Sequence, residues 1–161
     1  MARGDIQLRT PIDDAFTVSF GTASTVKAGE PTKGVDAAGA SPWLGTTAIM
    51  VDGDGTTSQR FTGIAKTDNA NSAVSTYLPL PGVIYRAKAK DATGIDTQAK
   101  IITFMGKRVV FDLTASAWTV DAAAADAVAN CVTIVGGDFR VPELHFVYAP
   151  KGTFLAFCVS A

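Results

Sequence analysis

Nearly every apolar run in this 161-residue chain is short, rich in β-branched or aromatic residues, and bounded by glycine or proline. Phe16–Phe20, Ile101–Phe104, Val109–Leu113, Cys131–Val135, Leu144–Tyr148 and Thr153–Val159 all have this form. Such runs are too short for amphipathic helices but suit strands, where branched and aromatic side chains pack on a pleated surface. The expected fold is mainly β: a single β-dominated domain over residues 12–161, with a short helix, preceded by an extended arm over residues 1–11.

The clearest half-buried strand is Phe16-Thr17-Val18-Ser19-Phe20, whose period of two puts Phe16, Val18 and Phe20 on one side. Val83–Lys90 alternates in the same way, with Tyr85, Ala87 and Ala89 facing one side and Arg86, Lys88 and Lys90 forming a solvated row on the other. Two hairpins are expected. The first runs from Ala48 to Lys66 and turns at Asp52-Gly53-Asp54-Gly55; the second joins Ile101–Phe104 to Val109–Leu113 through Met105-Gly106-Lys107-Arg108. Gly34–Gly45 reads as a loop anchored by Trp43, Thr67–Ser75 as a polar loop, and Leu78–Gly82 as a stiff turn. Asp121, the alanines Ala122–Ala125, and Asn130 carry the signature of a short helix, with an aspartate cap at one end and an asparagine at the other. The chain is expected to close with a hairpin of Leu144–Tyr148 and Thr153–Val159 about Ala149-Pro150-Lys151-Gly152.

A formal net charge of −1 supplies no field to draw the chain to nucleic acid or to an anionic membrane. No run approaches the roughly 18–20 apolar residues needed to span a bilayer, and Met1-Ala2-Arg3-Gly4-Asp5 opens no apolar stretch of signal-peptide type, so folding in a cytoplasm is expected. Charged residues make up only 18%, below the roughly 25% usual for soluble domains, which points to a surface partly covered by a partner. Cys131 and Cys158 lack metal-site spacing and read as small buried hydrophobes on strands, free to pair only if those strands are neighbours.

Catalytic chemistry finds little to stand on. The lone histidine, His145, sits between Leu144 and Phe146 on an apolar strand with no nucleophile elbow, and reads as structural. Asp13 and Asp14 are adjacent, and Asp52 and Asp54 lie in a turn, so neither pair has acid–base spacing. A calcium loop begun at Asp52 would need a glutamate where Gly63 stands and a glycine where Thr57 stands. No phosphate-loop lysine follows Gly53-Asp54-Gly55. No enzyme activity, cofactor or metal is expected.

Val26-Lys27-Ala28-Gly29-Glu30-Pro31-Thr32-Lys33, followed by Phe61-Thr62-Gly63-Ile64-Ala65-Lys66-Thr67, resembles a pattern in tailed-bacteriophage capsid decoration, or cement, proteins. In that family an AGEPV-like turn precedes a strand and an FxGIA strand closes the core; the matching residues here are Gly29, Glu30, Pro31, Phe61, Gly63, Ile64 and Ala65. The resemblance extends more loosely through Leu80-Pro81-Gly82-Val83 to Asp138, while the alanine-rich Ala122–Ala125 and the aromatic C-terminal hairpin depart from it. It implies a compact β-barrel-like or β-tulip domain that sits as a homotrimer, or less often a monomer, on the outer capsid surface of a virion and braces neighbouring capsomers. In lambda-like members the N-terminal arm docks on the major capsid protein, often by strand addition. By position that role falls on Arg3, Asp5, Ile6, Gln7, Leu8, Arg9 and Thr10. The alternative reading is a carbohydrate-binding or adhesive β module of a head fibre or tail accessory protein, with Trp43, Trp118 or Tyr85 as stacking platforms.

Overall fold

The computed structural model describes residues 6–8, 17–22, 25–34, 46–49, 53–55, 61–69, 73–80 and 83–148. Within them the protein is mainly β, with two sheets and one short α-helix.

The first sheet is a closed barrel of β2 (Thr17–Thr22), β3 (Pro31–Gly34), β4 (Thr46–Ile49), β5 (Phe61–Ala65) and β6 (Ala73–Tyr77) in the order β2-β4-β3-β5-β6. Pairing is antiparallel except between β2 and β4, and β6 returns to β2 over Thr17–Gly21 to shut the ring. Few large apolar side chains among the described residues fill it. Phe20, Val26, Ala65 and Val74 are buried alongside Thr22, Thr32, Thr62 and Thr76. The Thr32 hydroxyl donates to the Gly63 carbonyl at 3.0 Å, which leaves Thr62 to donate to Thr32 Oγ1 at 2.8 Å. Gly63 is required where it stands: its φ is +140°, and a Cβ there would collide with the Tyr77 carbonyl of β6.

The second sheet has six strands in the order β1-β7-β11-β10-β8-β9: β1 (Gln7–Leu8), β7 (Tyr85–Lys88), β8 (Arg108–Thr114), β9 (Ala117–Asp121), β10 (Val132–Asp138) and β11 (Glu143–Tyr148). Its inner face carries Tyr85, Phe111, Trp118, Phe146, Ile134 and Leu144, all essentially inaccessible. Phe111 lies at the centre, with ring centroids 5.6 Å from Phe146, 5.8 Å from Phe61 and 6.4 Å from Trp118. Phe61 and Ile64 of β5 belong to this same cluster, and Phe61 stacks on Tyr148 at 4.3 Å, so one apolar core runs from the sheet into the wall of the barrel. The alternation expected for Val83–Lys90 is present: Tyr85, Ala87 and Ala89 are buried, whereas Arg86 and Lys88 point away.

Several local expectations are corrected by tertiary packing. Ala48–Lys66 is not a hairpin, because β3 lies between β4 and β5 and pairs with both. Of the expected turn, residues 53–55 are described, and Gly53 and Asp54 run beside β8, with Gly53 N donating to Phe111 O at 3.0 Å and Phe111 N donating to Asp54 O at 2.8 Å. They occupy the flank of β8 beyond Val109, where β10 stops pairing, and Gly55 O accepts from Cys131 N at 2.7 Å.

Ile101–Phe104 forms no strand. It lies in α1 (Gln98–Phe104), capped by Thr97, whose hydroxyl accepts from Lys100 N, while Ile101 packs against Gly137 of β10. A short apolar run fits either period, and the upstream cap with a glycine-cleared seat on β10 settles it as helix. The hairpin in this region is β8–β9, turned at Ala115 and Ser116 with φ of 50° and 64°.

Asp121–Asn130 is not helical either. Asp121 ends β9, and its carboxylate accepts from Ala123 N and Ala124 N as a cap would. The following residues make turns, with the Asn130 amide donating to the Ala125 and Arg108 carbonyls. So short a helix needs an apolar face to hold it, and alanines provide almost none. The polar loop after Thr67 ends earlier than expected, since β6 begins at Ala73. In β2, Phe20 is buried but Val18 is 39% exposed. Phe16, Trp43 and Thr153–Val159 lie outside the described residues.

Candidate functional site

The two segments that resemble decoration proteins are far apart in sequence and adjacent in space. Pro31 of β3 pairs with Ile64 of β5, and Thr32 pairs with Gly63. Just before β3, Gly29 N donates to Ala65 O at 2.8 Å and Ala65 N donates to Glu30 O at 2.9 Å, so the Ala28-Gly29-Glu30 turn is an extension of the same ladder. Gly29 has φ +83°, which suits a residue without Cβ.

A polar clamp holds the turn from the other side. Asp68 accepts from Ala28 N and pairs with Lys27 Nζ at 3.2 Å, and Asn69 Oδ1 accepts from Val26 N. Glu30 closes the turn by accepting from Lys27 N at 2.7 Å. Burial raises the Glu30 carboxyl above the usual range; the Lys27 amide and ammonium pull it down by less, and Asp68 adds to the rise. Gly29 and Glu30 are thus bonded to Ala65, and Pro31 is paired with Ile64.

The arm meets this scaffold. Of the seven arm candidates, Ile6, Gln7 and Leu8 are described, and they lie on the protein itself: Gln7 pairs with Arg86 and Leu8 with Tyr85 at the edge of β7. Ile6 is 1% exposed, its N–H donates to Gly29 O at 3.3 Å, and its side chain joins the main core. The strand addition expected on a partner is made here on the chain's own sheet, and it ties the family-like turn to β7. Arg3, Asp5, Arg9 and Thr10 lie outside the described residues.

Two charged clusters lock the architecture. Lys33 of β3 meets Asp54 at 2.6 Å, joining the barrel to the segment bonded along β8. Lys90, just past β7, donates its backbone N–H to Val120 O and its Nζ to Asp112 at 2.7 Å and Asp121 at 3.1 Å. Ala89 forms a lone bridge with Val120, so Lys90 clasps the seam where β7 meets β9. Burial opposes ionisation of Asp112, but hydrogen bonds from Lys90, Thr114 and Thr119 more than offset it and hold the carboxyl below its ordinary range. The same carboxylates push the Lys90 ammonium up. The expected solvated row of cations is therefore tied down at Lys90, and also at Arg86, which faces Glu143 at 3.6 Å.

Of the groups that could act chemically, His145 is half-buried and Cys131 is buried. His145 stands on β11 opposite Arg86 and Gly136, on the reverse of the face carrying Leu144 and Phe146. Cys131 is buried, and burial raises its thiol, which suppresses the reactive thiolate. Cys158, Asp13, Asp14 and Asp52 lie outside the described residues. Among the described residues no group of three or more His, Cys, Asp or Glu side chains is gathered for a metal. No helix among them is long and apolar enough to cross a membrane. Two of the three aromatic platforms considered for a glycan are unavailable, since Trp118 is 1% and Tyr85 0% exposed. Comparison with protein-family models finds no match, and comparison with curated proteins finds none.

Proposed function

We propose that this protein is a structural virion component: a decoration, or cement, protein that binds the outer capsid surface of a tailed phage and stabilises contacts between capsomers. Its partner would be the major capsid protein and its assembly a homotrimer, with no role for nucleic acid, membrane or cofactor and no enzymatic step. One observation carries the reading: the segments Val26–Lys33 and Phe61–Thr67, singled out by resemblance, are hydrogen-bonded neighbours around one turn. A sparsely charged surface supports it, because binding through surface area needs apolar and neutral polar contact more than charge.

The test is sedimentation of the purified protein with expanded, undecorated phage heads. Co-sedimentation at a fixed stoichiometry per capsomer is expected; protein left in the supernatant at every concentration would overturn the proposal. The buried Ile6 means that deleting residues 1–11 would damage the fold as well as any contact. Substituting Arg3 and Arg9 is the cleaner probe of the arm, because it leaves the Ile6 anchor in place.

A further inference from the structure

The contact between Lys33 and Asp54 brings an amine and a carboxyl together where neither can move far. Lys33 Nζ lies 2.6 Å from an Asp54 carboxylate oxygen, and the two side chains are 28% and 6% exposed. Lys33 is fixed on β3 by pairing with Ala48 of β4 and Phe61 of β5, and the β3–β5 ladder shifts register between Thr32 and Lys33. Irregularities of this kind re-aim a side chain. Asp54 is fixed as firmly: its carbonyl accepts from Phe111 N, Gly53 N donates to Phe111 O, and Gly55 O accepts from Cys131 N.

The surroundings are those of the main core. Phe61, opposite Lys33, stacks on Tyr148 at 4.3 Å, and a Cβ on Gly55 would meet Val132 Cγ2 at 2.9 Å and the Phe111 ring at 3.4 Å. Phe111 and Val132 are fully buried. Among apolar groups, a proton passing from an ammonium to a carboxylate removes two charges at once and leaves a nucleophilic amine beside a carboxylic acid. The Tyr148 phenol is a proton carrier in the same place: burial holds its proton most strongly, and the charges of Cys131 and Asp54 add to the effect.

We propose that Lys33 and Asp54 condense to an intramolecular amide, a covalent link between the barrel and the segment that runs along the six-stranded sheet. The ammonium first gives one proton to the carboxylate. The amine lone pair then forms the Nζ–Cγ bond, one Cγ–O bond breaks, and a second proton from nitrogen leaves with that hydroxyl as water. The Tyr148 phenol donates to the departing oxygen and regains a proton from the nitrogen. Nothing is oxidised or reduced, and no co-reactant is consumed. Groups held in this way react with effective molarities of about 10⁵–10⁸ M, which is what lets an unactivated carboxyl take part. The inference does not rest on the capsid reading, since the bond lies within one chain.

The intact mass of the purified, denatured full chain reads the bond directly. A mass one water below that of the sequence is expected, with a branched peptide joining the Lys33 and Asp54 segments after digestion. A chain of full sequence mass would overturn the proposal. Water is also lost when an aspartyl-glycine closes to a succinimide, and Asp52-Gly53 and Asp54-Gly55 are two such pairs. Lys33→Arg is therefore the control, because it keeps the charge and cannot form this amide. Full mass is expected for K33R; a water loss that persists there, or a loss in the wild type without the branched peptide, would overturn the proposal. In Tyr148→Phe the bond is expected to appear about 100 times more slowly in freshly translated protein, and an unchanged rate would strike the phenol from the step.

Discussion

The two sheets solve one problem, closing strands around an interior, by different physical means. In the six-stranded sheet the interior is volume: Tyr85, Phe111, Trp118 and Phe146 pack ring against ring, and polar groups are sent to the outer face. Among the described residues of the barrel, Val26, Ala65 and Val74 form a small apolar cluster, and hydroxyls of Thr32, Thr62 and Thr76 bond to each other or to backbone carbonyls. These described residues rely on satisfied hydrogen bonds and on a glycine that lets β5 approach β6. Stability in one sheet should follow buried volume, and in the other the completeness of a small hydroxyl network.

The comparison breaks most easily at Phe111. Replacing it with alanine empties the meeting point of Phe61, Trp118 and Phe146 and is expected to cost about 3–5 kcal/mol in chemical denaturation. A loss below about 1 kcal/mol would show that volume does not govern this sheet. Thr32→Val is the matching probe of the barrel. It conserves shape, removes the donor to Gly63 O and the acceptor for Thr62, and should cost about 1–2 kcal/mol despite the gain in apolar character. A valine variant as stable as wild type would mean that the hydroxyls merely fill space.

The smallest effect separates the two sheets by pH. The Asp112 carboxyl has a depressed pKa in the folded state, so its contribution is present above the unfolded value of about 3.9 and is lost as pH falls below that through the folded value. Asp112→Asn should be less stable than wild type at neutral pH, with the gap closing in acid as the wild type loses its advantage. Thermal melts at pH 7 and at pH 3 check this; a gap of constant size would remove the Lys90 clasp from the account.

What was legible in the chain was whatever a local period could encode. β7 was readable because burial of one face forces Tyr85, Ala87 and Ala89 to alternate with cations, and β11 because Leu144 and Phe146 alternate around His145. The family-like turn and strand were readable as separate pieces. Their contact was not, since a ladder between Pro31 and Ile64 is a long-range choice that neither segment announces. Gly53-Asp54-Gly55 misled for a related reason: turn residues permit a reversal, and here Gly53 and Asp54 lie along β8, with Asp54 meeting Lys33.

The chain by itself determined that strands would dominate, which faces of β7 and β11 are apolar, and that charge would be scarce, because these follow from residue type and spacing. Tertiary structure alone decided that β3 separates β4 from β5, that Ile101–Phe104 is helical, that Ile6 anchors the arm on its own sheet, and that β11 is an interior strand. Backbone hydrogen bonds are alike at every residue, so strand neighbours are chosen by the packing of side chains distant in sequence.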